Sequence, residues 1–140
     1  MCADIHLEVN AFSYKVAELR QSYVRLPKNQ FRRGWTIVAL KRHANELFEL
    51  TDTELADFWR DVADAGRAVS AVYQPIKLNY AVLGNLCPHI HCHLVPQFVA
   101  DDPHALLNIT ERVVVLDEQQ YQLIIDKLRR ELGSRNSVAD

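Results

Sequence analysis

Cys87-Pro88-His89-Ile90-His91-Cys92-His93-Leu94-Val95-Pro96 places three of the chain's six histidines within five residues. Side chains two apart on a β-strand point to the same face, about 6.5–7 Å apart at Cα, so an extended run presents His89, His91 and His93 on one surface. Ile90, Cys92 and Leu94 then face the other way, into a core. Three adjacent imidazoles that merely satisfy one another in a packing face are the bland alternative. Each needs hydrogen bonds and each can take a proton near neutral pH, so a site explains the run more economically.

The segments on either side read as a framework for this strand. Ile76 to Leu83 alternates, with Ile76, Leu78, Tyr80 and Val82 on one face and Lys77, Asn79 and Ala81 on the other, and Gly84-Asn85 breaks it before the histidines. Tyr23 to Leu26 and Gly34 to Leu40 are β-rich runs separated by Pro27-Lys28-Asn29-Gln30, an antiparallel pair in which Trp35, Ile37 and Ala39 share a face. Thr51-Asp52-Thr53-Glu54 is a capping box flanked by the staple residues Leu50 and Leu55. Leu55, Phe58, Trp59, Val62, Val69, Val72 and Tyr73 trace one helical stripe that Pro75 closes. Phe12, Val16 and Leu19 recur at helical spacing and predict a first helix from about Val9 to Arg20. After Asp101-Asp102-Pro103, Arg112 to Leu116 predicts a last strand, and Asp117 caps a helix carrying Tyr121, Ile124, Ile125, Leu128 and Leu132. Strands outside βαβ alternation point to an α+β antiparallel sheet.

With 140 residues, 49% hydrophobic and 24% charged, the chain has the size and composition of one globular domain. Residues 1–132 are expected to form it, with a disordered polar tail over 133–140. The net charge of −2 supplies no basic field for a nucleic-acid polymer. No apolar run approaches a membrane span, and Asp4, His6 and Glu8 stand where a signal peptide is apolar, so the expected compartment is the cytoplasm. Cys2, Cys87 and Cys92 are odd in number and form no Cys-x-x-Cys pair, which indicates neither a disulfide framework nor a zinc knuckle.

Two chemistries use alternating histidines on a strand, and spacing alone does not separate them. In a metal site, neutral imidazoles ligate zinc or iron, with carboxylates behind them to orient the rings; the nearest acids, Asp101 and Asp102, lie beyond Pro96. In covalent catalysis one neutral imidazole attacks phosphorus while its neighbours donate hydrogen bonds to phosphate oxygens. Three mutually close imidazoles cannot all be charged cheaply, which keeps at least one neutral for attack.

The run His89-Ile90-His91-Cys92-His93-Leu94-Val95 resembles the histidine triad (HIT) signature. The resemblance extends through Lys77-Leu78-Asn79, Leu83-Gly84-Asn85, Pro88, Pro96 and Asp101-Asp102-Pro103, and upstream through Gln30, Gly34 and Lys41-Arg42-His43. It implies a HIT-like antiparallel sheet of about five strands with one long central helix and flanking helices, usually as a homodimer. It also implies a nucleotide hydrolase or nucleotidyl transferase acting at the α-phosphate of a small purine nucleotide conjugate, a phosphoramidate or a dinucleoside polyphosphate, with no cofactor required. His91 would be the nucleophile forming a nucleotidyl-histidine intermediate. His89 and His93 would hold phosphate oxygens and the leaving group, and His43 would lie beside the triad. Asn79 matches the position that holds the ribose hydroxyls, and Gly84 with Asn85 the segment near the leaving-group oxygen. A metal-dependent hydrolase with the three histidines as ligands, and a nucleotide-binding module with little turnover, are the rival readings. Two departures stand out: Gln97 replaces an Arg carried by many bacterial relatives, and Leu86 a Ser or Thr carried by some.

Overall fold

The computed structural model describes residues 3–105 and 111–136 of the chain. Five strands, β1 (Ser13–Glu18), β2 (Ser22–Pro27), β3 (Thr36–Leu40), β4 (Lys77–Val82) and β5 (His91–Gln97), form one antiparallel sheet in the order β1-β2-β3-β5-β4. Helix α1 (Asp52–Tyr73) links β3 to β4, and α2 (Glu118–Asn136) ends the described chain. The last strand of the histidine motif therefore lies inside the sheet, paired with β3 on one side and β4 on the other.

Both helices pack on one face. Tyr14, Val16, Val24, Leu26, Val38, Leu40, Leu78, Cys92 and Leu94 from the sheet close against Phe58, Val62, Ala65 and Val69 of α1 and Tyr121, Ile125 and Leu128 of α2. Residues directly opposite in an antiparallel pair share a face. The register then defines a row across the opposite face, from Lys15 through Arg25, Ile37 and His93 to Ala81, and a neighbouring row from Tyr23 through Ala39 to His91. The alternation of β5 thus places Cys92 and Leu94 in the core and His91 and His93 on the helix-free face.

That face is partly roofed by the N-terminal segment. Arg25 is buried and donates to the Ser13 hydroxyl (2.7 Å), to the Ile5 and Leu7 carbonyls (2.6 and 2.7 Å) and to the Ser13 carbonyl (3.0 Å). Burial lowers its pKa from the ordinary guanidinium value. These bonds to four oxygens are what make a buried cation tolerable.

The N-terminal helix expected over Val9–Arg20 is a strand. Asn10 accepts from the Phe12 and Ser13 amides and so starts β1, and the register slips between Lys15 and Ala17. A β-bulge lets Val16 and Ala17 both reach the core, which breaks the two-residue alternation and mimics helical spacing. The strand expected over Arg112–Leu116 is reduced to one bridge, Val115 with Asn29. The Asn29 side chain does the rest, donating to the Arg112 carbonyl and accepting from the Val114 amide. Only half of the capping box forms: Thr51 accepts from the Glu54 amide at 3.2 Å, but the Glu54 carboxylate pairs with Arg42 at 2.7 Å. A reciprocal box forms one turn earlier, around Glu46 and Glu49. Gln74 ends α1 in the left-handed region at φ 52°. At the other end of the chain α2 continues through Asn136, so residues 133–136 of the expected tail are helical and 137–140 lie outside the described residues.

One buried carboxylate fixes the sheet to α1. Asp61 is fully buried and accepts from the Gln21 amide (2.8 Å), the Arg20 amide (3.3 Å) and the Arg20 guanidinium (3.0 Å), so it seats the β1–β2 turn. Asp61→Ala leaves two amide donors without their acceptor and the Arg20 guanidinium with its bond to Asp64, and the expected cost is about 2–4 kcal/mol. Urea unfolding reads it directly, and an unchanged midpoint would remove Asp61 from this role.

The two sheet edges differ. At β1, Arg129 of α2 donates to the Val16 and Lys15 carbonyls and the Lys15 amide bonds to Glu8. At β4, by contrast, Ile76, Tyr80 and Val82 are exposed. No helix among the described residues is long and apolar enough to cross a membrane.

Candidate active site

Backbone pairing brings the fourth histidine to the other three. The Ile90 amide donates to the Ala44 carbonyl and the Leu40 amide to the Ile90 carbonyl, so the chain leaving β3 runs beside the approach to β5. His43 Nδ1 then lies 3.3 Å from His89 Nδ1. The His91 and His93 rings meet edge to face with centroids 4.8 Å apart. His89, His91 and His93 retain only 3%, 5% and 7% of their surface.

Each imidazole's hydrogen-bond partner decides which of its nitrogens carries the proton. His91 Nδ1 sits 2.6 Å from the His89 carbonyl, which can only accept, so Nδ1 carries a proton and the lone pair of the neutral ring lies on Nε2. His89 Nε2 sits 2.6 Å from the Leu40 carbonyl and is protonated for the same reason. Its Nδ1 is left to accept from His43, and both of its nitrogens are used inside the protein. His93 is the reverse of His91. Its Nδ1 lies 3.1 Å from the indole nitrogen of Trp35, which can only donate, so His93 accepts there and carries its proton on Nε2.

Burial sets the charge state of two of these rings. Desolvation, with a smaller contribution from His91, pushes His93 down to about 4. Desolvation also lowers His89, while its bond to the Leu40 carbonyl opposes the change and His43 and His91 add to it. Both are neutral at pH 7. With His91 as the neutral Nδ1–H tautomer, its Nε2 acceptor stands beside an N–H donor on His93, in a site whose rings are held by backbone and indole rather than by other charges. Such an arrangement suits a nucleophile and an oxygen-binding donor.

Trp35 is the site residue that sequence pattern alone did not assign a contact. Its position two residues before Ile37, the cross-strand partner of His93, is the signal that could have found it. The bend that delivers it is tightly specified. Gln30 donates to the Pro27 and Trp35 carbonyls and accepts from the Gly34 amide. Gly34 has φ +84°, and a Cβ there would lie 2.9 Å from Pro96 Cγ and 3.1 Å from the Tyr73 ring, so only glycine fits without displacement.

The remaining sequence-assigned residues lie outside the hydrogen-bonded cluster. Asn79 shares the histidine face, one step along β4 from Ala81, and is half-buried with no side-chain hydrogen bond among the described residues. Gly84 and Asn85 are exposed in the loop between β4 and β5 and make no hydrogen bond to the histidines. Leu86 is 99% exposed. Gln97 donates to the Asp101 carbonyl, and the Asp101 carboxylate accepts from the Phe98 amide, while Asp102 accepts from the His104 amide. Neither aspartate backs a histidine ring, and among the described residues no three His, Cys, Asp or Glu side chains are grouped to hold a metal ion. A cleft of about 470 Å³ lined by Tyr73, Ile124 and Lys127 lies on the helical side, away from this chemistry.

Comparison with known proteins follows the same geometry. The HIT domain model matches residues 9–100. Protein hit of Bacillus subtilis (strain 168) is 28% identical over 95 residues, covering 64% of this chain and 66% of that protein, so the match spans just under two thirds of the relative's length. A histidine triad protein of Bradyrhizobium japonicum superposes with a TM-score of 0.77 at 24% identity, over 91% of this chain and 96% of that one. One from Marinobacter aquaeolei VT8 gives 0.79 at 21% identity, over 92% and 95%. A zinc-bound family member from Mycobacterium smegmatis gives 0.68 at 21% identity, over 98% and 94%. These structures share the fold.

Proposed function

Because the chain belongs to the HIT family, whose members are generally nucleotide-binding hydrolases or transferases, we propose that it cleaves a small purine nucleotide conjugate at the α-phosphate through a nucleotidyl-histidine intermediate on His91. The observation that carries this reading is the bond from His91 Nδ1–H to the His89 carbonyl, which directs the lone pair of the neutral ring to Nε2. Once Nε2 has bonded to phosphorus the ring is cationic, and the same carbonyl, 2.6 Å from Nδ1–H, stabilises that charge. His93 Nε2–H is placed to hold a phosphate oxygen as charge builds on it. His89 acts by orientation, since both its nitrogens are engaged, and His43 supports it from the surface. Asn79, with its amide unengaged, is the ribose-binding candidate on this face, and the exposed Gly84-Asn85 loop is the one nearest the leaving group.

The reading requires no cofactor and places the protein in the cytoplasm, as a dimer paired through the open β4 edge. Nothing in it involves a nucleic-acid polymer or a membrane. Hydrolysis of an adenosine phosphoramidate and of diadenosine tetraphosphate, each with and without chelator, tests it. Turnover of either that survives chelation supports the reading. Activity removed by chelator would make the triad a metal site, and nucleotide binding without turnover of either would make the protein a binding module.

A further inference from the structure

We propose that Trp35 holds His93 as a neutral Nε2–H donor and thereby restricts this site to conjugates whose leaving group departs as a stable anion, an anhydride oxygen of a phosphate or a carboxylate. The inference rests on the nucleotidyl-His91 reading and narrows its substrate class. An imidazolium at His93 would need a proton on Nδ1 as well as on Nε2. Nδ1 already faces the indole N–H at 3.1 Å, so protonation there would set two donors against each other. The indole cannot turn acceptor and cannot titrate. It is also held in place, because Trp35 is buried, stacks on the His93 ring at 5.7 Å between centroids and has its carbonyl tied to Gln30.

Among the described residues, none of the side chains in contact with His93 is an acid placed to supply a proton. Its partners on the flanking strands are Ile37 and Ala81, neither of which titrates, and the ring it touches is His91, the nucleophile. His89 is turned away, bonded to Leu40 and His43. Leu86 brings no hydroxyl to the loop before the triad.

The chemistry balances without a general acid only for some substrates. The His91 Nε2 lone pair forms a P–N bond, the bond from phosphorus to the leaving group breaks, and its electron pair leaves on that group. An anhydride oxygen carries the pair as phosphate or carboxylate with no proton added. Water then forms the new P–O bond, the P–N pair returns to Nε2, and the water proton passes to solvent. The nitrogen of a phosphoramidate must instead gain a proton before it leaves, and among the described residues in contact with His93 none is placed to give it.

Three measurements on the full chain test this. The first compares kcat/KM for acetyl adenylate and for adenosine 5′-phosphoramidate; the expected ratio is at least ~100 in favour of the anhydride. The second follows a series of adenosine 5′-aryl phosphates, for which the rate is expected to fall roughly fivefold or more for each unit rise in leaving-group pKa. The third reads the ring nitrogens of His93 by ¹⁵N NMR of the resting protein, expecting the Nε2–H form from pH 8 to 5. In Trp35→His the neighbour can accept a proton, and the anhydride preference should narrow by about tenfold; Trp35→Phe, which keeps the ring and lacks the N–H, should lose the fixed tautomer. Equal rates for both substrate classes, a flat aryl series or an Nδ1–H form of His93 would overturn the inference, while a His91 adduct in the same samples would leave the parent reading standing. No turnover of any compound and no adduct would overturn both.

Discussion

His91→Ala is expected to lower kcat by about 10⁴-fold or more while leaving nucleotide affinity within a few-fold, because it deletes the attacking atom and little of the binding surface. Two features favour His91 over its neighbours as the attacking ring of the proposed mechanism. His89 has its nitrogens in bonds to Leu40 and His43, and His93 has its lone pair committed to Trp35. Of the three triad rings, His91 alone pairs a carbonyl-bound Nδ1–H with an Nε2 that has no hydrogen-bond partner among the described residues. His93→Ala removes a donor to phosphate oxygen and is expected to cost about 10²-fold, a smaller loss of a different kind. Steady-state kinetics on the two variants, with thermal unfolding as a check on folding, distinguishes them. Equal losses from both would argue against a division of labour between nucleophile and donor.

The second large effect is on stability in acid. An unfolded histidine titrates near 6.5, whereas burial holds His93 to about 4. Between those values the unfolded chain binds a proton that the fold rejects. The stabilisation is therefore fully present above about pH 6.5 and is lost as pH falls toward 4, by about 3 kcal/mol for His93 alone. His89, lowered by the same cause, adds in the same direction. The ion-paired carboxylates Glu8, Glu18 and Asp64, and Glu49 with its bonds to the Glu46 and Asn45 amides, are also held below their ordinary values, but their protonation belongs to the range below about 4.5. Urea midpoints at pH 7.5, 5.5 and 4.5 should drop steadily, and the drop should shrink in His93→Gln. A midpoint constant across that range would mean that His93 is not buried as the neutral ring.

The histidine strand was legible because the histidines recur at the period of the strand itself. One residue type repeats at the strand spacing, and the residues between it, Cys92 and Leu94, are fully buried as the alternation requires. The stripe on α1 was legible for a similar reason, with Phe58, Val62 and Val69 buried along it, although Trp59 at its margin remains 39% exposed. β1 was not, since the bulge at Val16 turned a strand pattern into helical spacing and only pairing with β2 reveals the strand. The 112–116 segment failed differently, because a side chain, Asn29, stands in for a backbone partner. At the site, residue types named the four histidines but not the proton on any of them. That depends on carbonyls and an indole brought in by cross-strand register, which local sequence does not encode.

In the proposed mechanism the register of β3 against β5 therefore matters as much as the histidines do. Ile37 opposite His93 and Ala39 opposite His91 set small or apolar side chains beside these two rings, and set Trp35 at the Nδ1 side of one of them. A site built on central strands of a sheet keeps such alignments better than one built on loops.

Trapping the intermediate tests this account most directly. The chain would be mixed with an adenylate labelled with ³²P at the α-phosphate, quenched in alkali to preserve a P–N bond, digested and mapped by mass spectrometry. The account predicts label on the peptide containing His91, at Nε2, and none in His91→Ala. Label on His89 or His93 instead, or turnover in the absence of any protein-bound phosphorus, would contradict it.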